Sequence, residues 1–347
     1  MTPRRRVATV AAVALLSVVC ALTHRAGLDR PTGAGSVHSA DRTDLALMAG
    51  IVARMQEGEP YYAAATAEMD MRGYQRSSFL NWRLPTLATV EAFLPSMLIA
   101  RAVLTLVSAW AVWLLSRRLP RAAIDQRLAT LAAGFTMLPI WVIGGGILFM
   151  HEVWAGELIA LSLALRGRDR WVPSLAVGLA AALVRELALV YLVAMLVIAM
   201  ASRRWREVMG WAVAIVVVAG ALALHAHAVA PLIRSGQVNG WVDFGGSDFV
   251  LATFRANPAA LIVPAAALIV VAPASIIGLW VWRHPAATRI ALTVTAYTLM
   301  FLCVGRPDNW YWGFLIAPIW PLGLVGLGTA VLSPSVPRVC LTESGSV

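Results

Sequence analysis

Carboxylates are scarce in this chain of 347 residues, which holds 18 acidic against 28 basic residues. Asp41 and Asp44 lie in a polar stretch that follows the first apolar segment. A carboxylate within hydrogen-bond reach of a hydroxyl group can accept its proton, so an acid in this position is a candidate general base. Asp44 and Asp41 are therefore the acids to consider in this stretch. The alternative is that Asp44 only stabilises the first turn of a helix by its charge.

Ionisable pairs also interrupt long apolar segments, where charges are costly and usually mark a functional site or an ion pair. His151 is followed by Glu152, and Arg185 is followed by Glu186. We predict that His151, Glu152 and Arg185 contribute to substrate binding. A purely structural ion pair between Glu152 and Arg185 is the alternative.

Two short strings combine arginine with aromatic residues, 79–85 and 305–312. The planar guanidinium of arginine binds phosphate through two parallel hydrogen bonds, and Trp or Tyr offers a flat apolar face to a sugar ring or a lipid. An aromatic belt at the membrane interface is the simpler interpretation of residues 310–312. The candidate substrate-binding residues in the two strings are Trp82, Arg83, Arg306, Asp308, Trp310 and Tyr311.

The composition indicates that a membrane positions these residues. The chain is 60% hydrophobic and 13% charged, whereas a soluble domain is about one quarter charged. A bilayer core of about 30 Å needs roughly 20 apolar residues per helix. We predict an all-α polytopic membrane bundle of about ten transmembrane helices, at 7–22, 95–116, 128–147, 148–165, 172–184, 187–202, 208–230, 259–282, 288–304 and 314–333.

The arginines predict the orientation of these helices. With a cytoplasmic amino terminus, 16 of the 28 basic residues fall in short inner loops and ends, as the positive-inside rule requires. The net charge of +10 is therefore explained by topology, and nucleic acid is not a predicted partner. We expect one domain in the inner (plasma) membrane, with an uncleaved first span at 1–23, an extracytoplasmic loop at 24–94, the other spans at 95–333 and a cytoplasmic tail at 334–347.

The first extracytoplasmic loop is predicted to contain membrane-parallel amphipathic helices. Leu45, Met48, Ala49, Val52 and Met55 follow the spacing of one helical face, which favours a helix lying on the membrane surface. A second helical piece is expected at 61–71. The stretches 128–165 and 172–202 are predicted to be hairpins of short helices, each with its charged pair at the outer tip. Loop and tips would then converge on one side of the membrane.

This layout resembles the GT-C superfamily of integral membrane glycosyltransferases. The string Thr43, Asp44, Leu45, followed by Gly58, Glu59, Pro60 and Tyr61, is similar to the Asp-Leu and Gly-x-x-Tyr pattern of the branch that uses polyprenol-phosphate mannose or arabinose. The chain departs from several branches by lacking an Asp-Glu or Asp-Asp pair, and we expect no large soluble carboxyl-terminal domain. The resemblance implies an inverting transfer from a polyprenyl-phosphate-linked sugar to an extracytoplasmic lipid or glycan acceptor. Because members of this superfamily place an acid just after the first span, the resemblance also implies Asp44 as the general base, with Asp41 as the second choice.

Two other functions stay open at this stage. A transporter or lipid flippase would also need charges at membrane depth, although no internal repeat is visible. A non-catalytic membrane subunit would scatter its acids over the loops instead of bringing them together. Besides membrane lipids, the predicted partners are the donor and the acceptor. The sequence predicts no cofactor and no metal-binding residue, and it leaves a requirement for a divalent metal open.

Overall fold

Helices make up the regular structure of the described chain. The computed structural model describes residues 3–28, 44–118, 145–167, 170–234, 244–282 and 284–332, and no strand occurs among them. The predicted all-α class is confirmed for these residues. Asp41, most of the predicted span 128–147 and the predicted tail 334–347 lie outside them. The α-helices are α1 (Pro3–Leu28), α2 (Asp44–Gln56), α3 (Tyr61–Arg72), α4 (Thr86–Phe93), α5 (Met97–Arg118), α6 (His151–Leu165), α7 (Val172–Val184), α8 (Leu189–Ala201), α9 (Trp205–Val229), α10 (Gly246–Phe254), α11 (Leu268–Val281), α12 (Pro285–Cys303) and α13 (Leu322–Leu332).

Several helices are apolar enough to span a membrane, although fewer than the sequence predicts reach the full length. Among the described residues, three helices are both long enough and apolar enough to cross a membrane, at Met97–Arg117, Trp205–Leu232 and Pro285–Cys303. Five others are apolar but shorter, including α7, which spans the predicted residues 172–184. The predicted spans 259–282 and 314–333 contain the shorter helices α11 and α13. Pro264 and Pro321 precede these helices. Proline has no backbone N–H, so it cannot make the hydrogen bond to the preceding turn that would extend a helix towards its amino terminus.

The bundle is organised around α6, nearly all of whose residues are buried. This helix packs against α5, α7 and the 3-10 segment Pro307–Leu315. Close approach to that segment depends on Gly156, because a Cβ there would collide with the Phe314 carbonyl oxygen. Elsewhere α11 and α13 approach at Gly278 and Gly323, where a Cβ on either residue would meet the partner backbone. Small residues allow helix backbones to approach closely in this way.

The segment between α1 and α5 forms a separate layer of three helices. Leu47 and Ile51 of α2 and Met69 of α3 are buried in an apolar cluster distinct from the main core around α6. This second apolar cluster also contains Val229 at the end of α9. The predicted helices at 45–55 and 61–71 are present as α2 and α3. The buried face of α2 is nevertheless centred on Leu47 and Ile51, which the predicted apolar face omits, because α3 and α4 both pack against α2.

Candidate functional site

The Asp44 carboxylate is exposed at the start of α2 and is held by two tyrosines from distant parts of the chain. The Tyr74 hydroxyl donates to Asp44 Oδ1 at 2.7 Å. The Tyr311 hydroxyl donates to Asp44 Oδ2 at 3.1 Å. Burial raises the pKa of Tyr74 and of Tyr311, and the Asp44 charge raises both further, so the phenols stay protonated donors. The two hydrogen bonds therefore orient an acid that still faces solvent.

The local backbone explains how the two tyrosines reach Asp44. Gly73 ends α3 in the left-handed conformation (φ 72°), which favours glycine, and its turn sends Tyr74 back towards α2. Tyr311 lies on the 3-10 segment Pro307–Leu315, which packs against α6 and α10. Asn309 Oδ1 is a second acceptor for the Tyr311 hydroxyl, at 3.2 Å.

Arg83 connects Tyr311 to helix α6. Its Nη2 atom lies 3.4 Å from the Tyr311 hydroxyl, to which it donates, and 3.8 Å from Glu152 Oε1. Its backbone is fixed because the Tyr61 hydroxyl donates to the Arg83 carbonyl oxygen at 2.6 Å. The side chain is 12% exposed, so the guanidinium is largely withdrawn from water while it remains next to Tyr311.

Glu152 and Arg185 pair because of where they stand on antiparallel helices. Glu152 is in the first turn of α6, and Arg185 directly follows the last residue of α7, which is connected to α6 by a short loop. An acid at a helix amino terminus and a cation at a carboxyl terminus are both favourable for the helix dipoles. Arg185 Nε donates to Glu152 Oε1 at 2.7 Å, and Arg185 Nη1 also contacts the Glu186 carboxylate. The side chain of Arg185 is only 1% exposed.

These contacts form one continuous chain from an exposed acid to a buried ion pair. The three carboxylates and two guanidinium groups in this series of contacts have a combined formal charge of −1. Arg185 is enclosed by two acids, so Arg83 is the cation best placed to meet a ligand beside Asp44. We call this chain the Asp44 network; its members are Asp44, Tyr74, Arg83, Glu152, Arg185, Glu186 and Tyr311.

The other predicted substrate-binding residues lie outside this network. Trp82 is buried in the second apolar cluster, and its indole Nε1 has no hydrogen-bond partner among the described residues. Arg306 Nη2 is 3.3 Å from Asp308 Oδ2 in a partly exposed ion pair. Trp310 is 45% exposed and contacts the ring of Tyr311. His151, at the start of α6, is buried, and its Nε2 has no partner within the described part of the chain.

Sequence reasoning missed three contributors. Tyr74 was only the residue after a predicted helix, and the Gly73 stop signal was the one indication that the chain turns back there. Glu186 was recognised as charged but was not selected as a site residue. Asn309 gave no signal by type or spacing. Across the described ranges, no group of three His, Cys, Asp or Glu residues is arranged to hold a metal ion.

Comparisons of the chain with protein-family models, with curated proteins and with solved structures found no match. The geometry of the Asp44 network is therefore the basis for a functional proposal.

Proposed function

We propose that this protein is an integral membrane glycosyltransferase that moves a sugar from a polyprenyl-phosphate-linked donor to an acceptor hydroxyl on the extracytoplasmic side. One observation carries the proposal. An exposed carboxylate, Asp44, is oriented by two tyrosine hydroxyls next to a shielded guanidinium, that of Arg83. This arrangement provides a proton acceptor and a cation side by side, which are the two groups that such a transfer needs.

Asp44 is assigned the role of general base. As the acceptor oxygen bonds to the anomeric carbon, its hydroxyl proton passes to the Asp44 carboxylate. The bond between the anomeric carbon and the phosphate oxygen breaks on the opposite face, so the configuration inverts and the electron pair leaves with polyprenyl phosphate. A carboxylate keeps lone pairs for the acceptor while it accepts hydrogen bonds from Tyr74 and Tyr311.

Arg83 is assigned to the phosphate of the leaving group. Its guanidinium is permanently charged and only 12% exposed, and an electrostatic interaction is stronger where little water competes. Arg185 has a different role, because Glu152 and Glu186 already occupy its guanidinium. We assign Arg185 as the positioning residue that holds Glu152, which in turn faces Arg83.

The test is a transfer assay in membrane vesicles that contain the full chain. Vesicles receive labelled polyprenyl-phosphate mannose or polyprenyl-phosphate arabinose together with an extract of envelope lipids and glycans as acceptor. We expect release of free polyprenyl phosphate and labelled product with inverted anomeric configuration, and neither from vesicles without the protein. Movement of intact donor across the bilayer without cleavage would overturn the proposal in favour of a flippase, and an inert donor would favour a non-catalytic subunit.

A further inference from the structure

Arginines are concentrated at the end of the bundle opposite the Asp44 network. Helix α6 begins in that network and is followed directly by Arg166, so its 15 residues separate the two ends by about 22 Å. The segments 166–170 and 202–207, together with Arg289, hold seven arginines and two acids, an excess of five positive charges. The proposed transfer reaction does not use this charge.

Contacts between the described residues bring these segments together. Arg166 binds the Glu207 carboxylate through Nε at 2.7 Å and through Nη2, which joins the end of α6 to the start of α9. Arg289 Nη1 donates to the Arg166 carbonyl oxygen at 3.3 Å, which adds the first part of α12. Trp171, directly before α7, packs over Gly210 of α9, where a Cβ would collide with the indole ring. The ends of these helices that carry arginine therefore lie side by side.

The arginines at this end differ in their partners. Glu207 already pairs with Arg166 and lies 3.8 Å from Arg204. Four others make no ion pair within the described part of the chain; we call them the Arg289 cluster, and its members are Arg170, Arg203, Arg206 and Arg289. The first three are exposed, whereas Arg289 is half-buried. Over the described ranges, the one hydrogen bond of the Arg289 side chain is to the Arg166 carbonyl oxygen, so most of its five N–H groups are available to a ligand.

The surroundings of the Arg289 cluster are those of a membrane–water boundary. Trp205 stands between two of its arginines in the sequence and is 67% exposed, and tryptophan is enriched where headgroups meet hydrocarbon. Further along the same helices, the apolar side chains of Val172, Met209 and Val213 are more than half exposed. Cations that adjoin an exposed apolar surface match a lipid, in which a charged headgroup adjoins hydrocarbon chains.

We propose that the Arg289 cluster binds the headgroup of an anionic phospholipid, with the lipid phosphate between Arg289 and the exposed arginines at the start of α9. A guanidinium can donate two parallel hydrogen bonds to phosphate oxygens and keeps its charge at the membrane surface. The arginines repel the ammonium group of a zwitterionic headgroup, so the site prefers a lipid with net negative charge. The bound lipid bridges α9 and α12 without contacting the Asp44 network. The inference is independent of the transfer reaction.

Thermal unfolding of the full chain in dodecyl maltoside micelles tests this binding, because a ligand that binds the folded state raises Tm. The micelles receive dioleoyl phosphatidylglycerol, dioleoyl phosphatidylcholine or soluble glycerol phosphate. We expect phosphatidylglycerol to raise Tm saturably and the other two to leave it unchanged. An equal rise with phosphatidylcholine or with glycerol phosphate, or no rise with phosphatidylglycerol, would overturn the proposal.

Variants with matched charge locate the binding. Arg206→Gln combined with Arg289→Gln should increase the phosphatidylglycerol concentration at the half-maximal rise in Tm at least about tenfold, because each basic residue near the headgroups strengthens binding of an anionic lipid severalfold. Arg203→Gln combined with Arg206→Gln changes only exposed side chains, so it gives the same test if loss of Arg289 impairs folding. The control is Arg234→Gln combined with Arg306→Gln, since these two arginines follow the opposite ends of α9 and α12.

The control double variant should retain the affinity of the wild type. An equal loss of affinity in the control would show that net charge alone attracts the lipid and would overturn the proposal. Unchanged affinity in both variants of the Arg289 cluster would also overturn it. These measurements require no transferase activity, so their outcome is separate from that of the vesicle transfer assay.

Discussion

The two ends of α6 use the same pair of residue types for different purposes. At one end, Glu152 in the first turn of α6 binds Arg185 at the carboxyl terminus of α7. At the other end, Arg166 follows the last residue of α6 and binds Glu207 in the first turn of α9. Both pairs place an acid at a helix amino terminus and an arginine at a helix carboxyl terminus, where the helix dipoles favour each charge.

The difference is in what lies beyond each pair. Glu207 accepts from Arg166 Nε at 2.7 Å and from Trp211 Nε1 at 3.4 Å, and its side chain is 4% exposed. Glu207 Oε2 also lies 3.8 Å from Arg204 Nη1, so the contacts of Glu207 within the described part of the chain are with two arginines and a tryptophan and not with an exposed acid. From Glu152, by contrast, contacts continue through Arg83 to the exposed Asp44. A buried Arg–Glu pair therefore indicates a functional site only when it supports a reactive group that a ligand can reach.

The largest stability effect is expected at the enclosed pair. Glu207→Ala removes the carboxylate that the Arg166 side chain, which is 2% exposed, contacts through Nε and Nη2. Loss of one partner from a buried ion pair costs about 3 to 5 kcal/mol, because the other charge stays buried. Urea unfolding in detergent micelles should show this loss, and Glu57→Ala, which removes an exposed acid, should change the free energy of unfolding by less than about 0.5 kcal/mol. Equal values for the two variants would show that the pair is not structural.

Glu91 is a buried acid with no ion pair to an arginine among the described residues. Its replacement should therefore stabilise the fold at high pH, whereas replacement of Glu207 destabilises it. Glu91 of α4 is 2% exposed, its Oε1 has no hydrogen-bond partner among the described residues, and burial raises its pKa to about 8 from 4.5. The folded state therefore binds the proton more tightly than the unfolded state, so Glu91 stabilises the fold most below pH 4.5 and this contribution is lost as the pH rises to about 8.

Replacement of Glu91 should remove this pH dependence. Glu91→Gln should match the wild type at pH 4 and should be more stable at pH 9 by a few kcal/mol, since one pKa unit corresponds to about 1.4 kcal/mol. Thermal unfolding measured from pH 4 to pH 9 checks this expectation. Wild-type and variant curves that run parallel over this range would contradict it.

The sequence predicted the broken helices better than the side-chain partners. The ends of α7 and α8 agree with prediction within two residues, because Arg185 and Glu186 interrupt an apolar run and charges are costly there. Helix α4 was missed, since its apolar residues run on almost directly into α5. The pairing of Arg306 with Asp308, and of Tyr74 with Asp44, depends on how the chain turns, and residue type does not encode these contacts.

Removal of either phenolic hydroxyl should weaken catalysis. Tyr311→Phe and Tyr74→Phe each delete one hydrogen bond to the Asp44 carboxylate, and a hydrogen bond to a charged group contributes about 1.5 to 3 kcal/mol. We expect the transfer rate to fall at least tenfold in each variant. Tyr62→Phe, which removes the 3.0 Å contact with His225 Nδ1 in the same layer, is the matched control and should retain the rate. Full activity in Tyr311→Phe would show that the Tyr311 hydroxyl has no role in the transfer reaction.

A small effect on stability is expected at the exposed amino-terminal end of the 3-10 segment. Arg306 and Asp308 are 35% and 64% exposed, and ion pairs at such positions contribute about 0 to 1 kcal/mol. Arg306→Ala should therefore change the free energy of unfolding by less than about 1 kcal/mol. A loss close to that of Glu207→Ala would contradict the expected difference in stability between the enclosed Arg166–Glu207 pair and the exposed Arg306–Asp308 pair.

The most direct test compares Asp44→Asn with Glu57→Gln in the vesicle transfer assay, with unfolding of both proteins measured in parallel. Asp44→Asn keeps the size of the side chain and removes the proton acceptor, so the rate should fall about 10²- to 10⁴-fold in a protein that still inserts and folds. Glu57→Gln neutralises an exposed acid beyond the other end of α2 and should retain the wild-type rate. Asp44→Asn that inserts, folds and transfers sugar at the wild-type rate would contradict the assignment of Asp44 as the base.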